Sequence, residues 1–267
     1  MAEEPKEEME EKTLSDNGDF EEDELIESPI KRVLVVLFSP RLVYESLSVK
    51  KSSKLDWIIP ITLMLLFALI LINSGYEFIQ NDQHEAAVSR IENNTNLTEE
   101  QKADGIERIE KQMERTAGIQ HSLANIFAVI GVFVHLLFMA LVMMAIVNVV
   151  LNGKLTFDNA FKIGSLGSIT SVVGSVVKLP LMFYHESLMQ AKMSLGLLFP
   201  ESMEEQFIVK LVDIDIFTLW YVIIISIGMS VFAKTSLIKA LVPMVILWFV
   251  FRIAITSITG ALSGLGM

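Results

Sequence analysis

The chain has 267 residues, 52% of them hydrophobic and none of them cysteine, and its mean hydropathy of +0.51 is too high for an ordinary soluble domain. The formal net charge of -11 is concentrated at one end: residues 1–27 hold 13 acidic and 2 basic residues, and the remaining 240 hold 19 of each sign. That balance gives no basic patch for nucleic acid, and the lack of cysteine excludes disulfides and thiolate metal sites while leaving the redox compartment open.

Residues 1–27 read as a disordered acidic cytoplasmic tail, a solvated tether and a candidate docking segment for a protein partner. No apolar run precedes residue 26, so the first span is expected to act as its own insertion signal. In residues 28–56, Ser28-Pro29 and Ser39-Pro40 each mark a helix start, with Ser as cap and Pro in the first turn. The first helix carries Ile30, Val33, Leu34, Leu37 and Phe38 beside Lys31 and Arg32; the second carries Leu42, Val43 and Leu47 beside Arg41. Both are expected to lie at the membrane surface, their basic residues toward anionic headgroups. Lys50, Lys51 and Lys54 then lead into the interfacial Trp57.

Five spans are expected, at about 57–78, 123–151, 163–184, 216–232 and 237–262; about 20 residues cross about 30 Å of hydrocarbon, and the second span is long enough to tilt or to project from the bilayer. Pro60 falls in the first turn of span one, where its missing N–H costs little. The polar insert 80–122 contains a capping box, Thr98 with Gln101, before a helix over 99–115 with a thin apolar seam. Asn93-Asn94-Thr95 and Asn96-Leu97-Thr98 match the N-glycosylation pattern, which is common by chance. Residues 185–215 hold two amphipathic pieces, 188–199 and 207–212, separated by Pro200.

Span three is the expected centre. Gly164, Gly167, Ser168, Ser171, Gly174 and Ser175 fall on one face at helical spacing, with Lys178 closing the stripe. Among lipid tails such a stripe gains nothing unless another helix backbone comes close, so it is expected to be buried in the bundle. Residues 28–56, 152–162 and 233–239 together hold 10 basic and 3 acidic residues, against 7 and 15 in 80–122 and 185–215. The positive-inside bias therefore puts the N-terminus in the cytoplasm and the C-terminus across the membrane.

Few ionisable groups fall inside the spans, and each is a candidate site. Arg252, on a stripe with Thr256, is expected near mid-span five, facing the Gly/Ser stripe and bonding carbonyls or hydroxyls, or holding an anionic headgroup. Lys178 is expected to pair with Glu186, Asp213 or Asp215. His135 reads as a neutral interhelical hydrogen-bonder in span two, as do Asn73 and Asn148. The four histidines show no metal-ligand spacing, and neither a nucleophile elbow nor a phosphate-cradling loop is present, so no catalysis, cofactor or metal is expected.

Three stretches resemble the YIP (Ypt/Rab-interacting protein) family, in its prokaryotic five-span branch. They are "SPRLVYESLSVKKSSKLDWIIPI" before span one, "NGKLTFDNAFKIGSLGSITSVV" with Gly153, Phe157 and Phe161, and "DIDIFTLWYVIIISIGMSVFAKTSLIKA" with Asp215, Phe217, Trp220, Gly228, Lys234 and Ser236. The resemblance covers residues 30–262 apart from the polar insert 80–122 and implies a five-helix bundle; with the readings above, the expected fold is an all-α membrane protein, a five-transmembrane-helix bundle with short amphipathic interfacial helices and a helical polar insert between spans one and two. The resemblance also implies a role in membrane organisation or partner recruitment. Rab-type GTPase binding goes with members that carry an Asp-Leu-Tyr-Gly-Pro-like motif before span one, and no such motif stands here. The expected function is a non-catalytic, homo-oligomeric membrane organiser or adaptor in a prokaryotic cytoplasmic membrane; a small-solute or anion permease using Lys178 and Arg252 is the alternative.

Overall fold

A computed structural model describes residues 25–49, 53–188, 190–191, 193–195 and 213–264. Most of the acidic tail, Lys50 and Lys51, about half of the amphipathic piece 188–199 and all of the piece 207–212 lie outside the described residues. The described residues form nine α-helices and no strand: α1 (Pro29–Val35), α2 (Pro40–Val49), α3 (Leu55–Ser74), α4 (Tyr76–Glu92), α5 (Glu99–Ala145), α6 (Phe157–Gly167), α7 (Ile169–His185), α8 (Ile216–Ala233) and α9 (Leu237–Gly264). Five helical stretches are long and apolar enough to cross a membrane, with α6 and α7 together making the third.

Each crossing is set by an apolar run and by what ends it. α3 begins two residues before its expected start, so Pro60 lies in the second turn and removes the hydrogen bond that the Asp56 carbonyl would receive. It stops at Gly75, whose backbone packs on the Met182 thioether. The chain then continues as α4, a helix the sequence did not announce, because residues 76–92 carry no apolar periodicity.

α5 is one uninterrupted helix of 47 residues, about 70 Å at 1.5 Å per residue, against about 30 Å of hydrocarbon. The insert is therefore no separate helix followed by a span. It is an antiparallel hairpin in which α4 runs out from span one and the first half of α5 runs back into span two. The Thr98–Gln101 capping box starts it, with both reciprocal hydrogen bonds present. At its base, the Tyr76 hydroxyl donates to the Ala117 carbonyl at 2.6 Å and its ring stacks on His121 at 4.0 Å, while Asn73 bonds Asn125 at 3.0 Å. Asp82 secures the hairpin to the loop after α7 by accepting from the Ser187 hydroxyl and the Leu188 N–H.

At the other end of α5 the backbone relaxes into a π-turn, Ile146–Val150. Asn148 does not reach another span; its side chain clamps the N–H and C=O of Leu155, closing a turn in which Asn152 takes a positive φ of 52°.

The third crossing is broken rather than continuous. α6 ends at Gly167 and α7 begins at Ile169, with Ser168 between them. Glycine and serine make such a break cheap, and the hydroxyls serve the carbonyls there: Ser168 donates to Ser165 and Thr170 to Gly167.

α8 is the hub, packing against α2, α6, α7 and α9. Over its apolar window 44% of residues are buried, against 11% for α9, which lies on the periphery. The core joins Val36, Val43 and Tyr44 of the entrance region to Met143, Ile163, Leu166, Ile225 and Met229. α1 and α2 thus dock into one end of the bundle, and only one side of α1, with Ile30 and Leu34, faces outward, followed by an 84%-exposed Phe38 in the turn before α2.

Candidate functional site

The Gly/Ser face was expected to be buried, and most of it is. Gly164, Gly167, Ser168 and Gly174 are buried, and Ser175 is half-buried. A Cβ on Gly167 would stand 2.7 Å from Ile225 Cγ2, and one on Gly174 would stand 3.0 Å from the Phe217 ring, so both glycines admit α8 to backbone contact. Gly164 lies beneath the Tyr221 hydroxyl and the Met143 methyl. Ser171 departs from the pattern: the break at Ser168 turns it outward, where it is exposed and accepts from the Ser175 hydroxyl through its carbonyl. His135 also lies on an exposed stretch of α5, its ring tilted over Tyr221 at 5.8 Å.

The two intramembrane cations sit at one rim of the bundle, away from its middle. Lys178 pairs with Asp215 Oδ2 at 2.5 Å, both side chains about a quarter exposed. Asp215 has a second task, capping α8 by accepting from the Phe217 and Thr218 N–H groups. Arg252 does not reach the Gly/Ser stripe. It donates to the Asp213 carbonyl at 3.2 Å and lies over the Trp248 ring at 5.7 Å, level with the start of α8. Because α9 runs antiparallel to α8 and extends past it, residue 252 lies level with the start of α8; Thr256 follows one turn on, half-buried. Beside it, Ile214, Thr218, Val222, Val245 and Trp248 line a small apolar cleft between α8 and α9. Among the described residues no three His, Asp or Glu side chains come together as a metal site.

A double-mutant cycle separates the two tasks of Asp215. Lys178→Met and Asp215→Asn, which keeps a capping oxygen, are expected to couple by about 0.5–1 kcal/mol, the range of a partly exposed ion pair. The charge swap Lys178→Glu with Asp215→Lys is expected to restore stability only in part, because lysine cannot cap and a lost cap costs about 1 kcal/mol. Thermal unfolding of the purified protein in detergent measures both.

The opposite end holds the polar centre that the sequence reading missed. Arg32, expected at a headgroup-facing surface, points into the bundle. Its Nη1 donates to both carboxylate oxygens of Asp56 at 3.0 and 2.9 Å, and its Nε donates to the Ile26 carbonyl. The side chains of the pair are 1% and 0% exposed, and the Ser53 N–H also donates to Asp56 at 2.7 Å. Nearby, Tyr44 is wholly buried and donates to the Ile163 carbonyl at 3.3 Å. Desolvation, with a smaller push from Tyr221, raises its pKa well above the usual phenol value, so it serves as a neutral donor. Lys162, buried on α6, pairs with Asp158 one turn earlier. The available signal was register: Arg32 lies one helical turn from Val36 and next to Val33, both buried, and Asp56 is the one acid in the first turn of an apolar helix.

A Yip1 domain family model matches residues 34–258. The chain belongs to the Yip1 domain family. Neither the curated proteins nor the solved structures contain a match. As a Yip1 domain protein with five membrane-crossing helices, it is an integral, multi-pass membrane protein. The Yip1 match takes in the whole α4–α5 hairpin and begins just after Arg32, so the domain supplies Asp56 and the preceding segment supplies its partner.

The residues that carried the resemblance do structural work in the Yip1 domain. Gly153 brings its turn against Ala233, where an added Cβ would stand 2.9 Å from the Ala233 Cα. Phe157 stacks on Phe161, whose other side meets Trp57 edge-on at 5.6 Å. Phe217 covers Gly174, Trp220 packs against the core, and Gly228 receives Ile163 and Tyr44. Lys234 ends α8 in the left-handed region at φ 51°, its N–H bonding Val231.

Proposed function

We propose that this protein is a non-catalytic membrane organiser of the Yip1 type, in which a rigid bundle presents its α1–α2 end to the cytoplasm as a platform for partners and anionic lipids. The observation that carries this reading is the dry packing at the centre: the backbones at Gly167, Gly174 and Gly228 are filled by Ile225, Phe217 and Ile163. A permease would need a polar path through that region, whereas Lys178 and Arg252 are engaged at one rim.

The orientation rests on the excess of Lys and Arg at the α1–α2 end and of Asp and Glu at the hairpin end. In this arrangement Ile30, Leu34 and Phe38 sink into the inner leaflet while Lys31, Arg41 and Lys54 meet phosphate. The acidic tail is the segment that reaches for a protein partner, and the exposed flanks of α5 and α9 are the surfaces for a second copy in a prokaryotic cytoplasmic membrane.

Affinity purification from native membranes, with residues 1–24 present or removed, tests the reading. A defined set of co-purifying proteins that changes with the tail is the expected result. Saturable solute flux in proteoliposomes, with no protein partner in either pull-down, would overturn it.

A further inference from the structure

We propose that the acidic segment of residues 1–24 docks in cis on a ring of lysines at the α1–α2 end of the bundle, where it competes with anionic lipid headgroups. Lys31, Lys54, Lys154, Lys234 and Lys239 are all exposed there. They come from four separate segments that three contacts hold together. The Arg32–Asp56 pair fixes α1 to the start of α3, Trp57 on Phe161 fixes α3 to α6, and Gly153 against Ala233 seats the turn of Lys154 on the turn of Lys234. Acids at the same end are engaged locally: Asp56 with Arg32, Asp158 with Lys162 and Glu45 with Arg41.

The anionic segment starts beside this ring. The Ile26 N–H donates to Ser46 Oγ at 2.8 Å and its carbonyl accepts from Arg32, which anchors the chain over α2, and α2 lies across α8. Residues 1–24 contain 12 acidic and 2 basic residues. Fully extended they reach about 80 Å, more than enough to touch every lysine named. Tethering places these carboxylates at an effective concentration of the order of millimolar. Exposed ion pairs are weak singly, so the docking is spread over many contacts and is sensitive to salt. A bilayer surface repels the tail and attracts the same lysines, so the two anions contend for one ring. None of this requires the adaptor reading, because both partners in the contact belong to one chain.

The test uses the purified full-length protein and a zero-length carbodiimide, which joins carboxylates to lysine amines, with the products mapped by mass spectrometry. Cross-links from residues 1–24 to Lys154, Lys234 or Lys239 are expected at low salt, and their loss is expected at about 1 M salt, where the Debye length falls to about 3 Å. In anionic nanodiscs, the full-length variant Glu21→Gln, Glu22→Gln, Asp23→Asn and Glu24→Gln should retain several-fold more anionic lipid than the wild type. Adding Lys154→Gln, Lys234→Gln and Lys239→Gln should abolish that gain. Absence of the cross-links, or the same lipid retention with and without the tail charges, would assign the ring to headgroups alone and overturn the proposal.

Discussion

Replacing Arg32 with Met is expected to cost about 3–5 kcal/mol, the penalty for leaving one partner of a buried ion pair uncompensated. Asp56 would keep only the Ser53 N–H, inside a site where its side chain is 0% exposed. Asp56→Leu should cost a similar amount, since Arg32 would keep only the Ile26 carbonyl. The double variant Arg32→Met with Asp56→Leu should recover most of the loss, because two apolar side chains of similar volume remove both desolvated charges at once. Unfolding temperature in detergent, read for all three variants, decides the matter; additive single losses would show that the side chains act independently. Lys111→Met, which breaks the exposed pair with Glu107 on the hairpin, serves as the control and should leave the unfolding temperature unchanged.

The second large effect is steric. Gly228→Ala would put a methyl group 2.7 Å from Ile163 Cγ2 and 3.2 Å from Tyr44 Cδ2. Neither neighbour has room to retreat, both being fully buried. Overpacking of this kind costs about 1–3 kcal/mol. Ile163→Ala alone leaves a void and should cost about 2–5 kcal/mol. Combined, the two should be clearly less damaging than their sum, because the added methyl enters the space that Ile163 vacates. Strict additivity would mean that α6 and α8 do not meet at these residues. Gly131→Ala on α5, where an added Cβ meets nothing within 4 Å, should be neutral or stabilising, since alanine is the better helix former by about 1 kcal/mol.

These predictions rest on features that were unequally visible in the sequence. The five crossings were legible because span length and apolarity are imposed by the bilayer and need no tertiary partner. The Gly/Ser stripe was legible for a related reason: small residues at helical spacing have one use among lipid tails. Lys178 with Asp215 could be named because both lie near span ends and few alternatives existed.

Local pattern failed wherever a partner decided the outcome. Arg32 looked like a surface cation because a helical wheel shows which side a residue occupies but not what covers that side; its cover, Asp56, lies 24 residues away. Arg252 was given the wrong neighbour because α9 overshoots α8 and brings it to Asp213, and a hydropathy run does not mark where its neighbour begins. Ser171 was assigned to the buried face by extrapolating one helical period through Ser168, where the period is interrupted. The continuity of α5 was hidden by composition, polar over its first half and apolar over its second, although a helix takes no notice of that change when its backbone bonds are satisfied within itself.

The hub position of α8 also sets the order of assembly. It is the fourth of the five crossings to leave the ribosome, so α3, α5 and α6–α7 enter the bilayer before the surface they close upon exists. Until it arrives, the notches at Gly167 and Gly174 stand open to lipid, and a nascent chain halted before residue 216 has no way to shut them. Closure of the bundle therefore waits on the fourth crossing, whose Phe217 and Ile225 fill those notches.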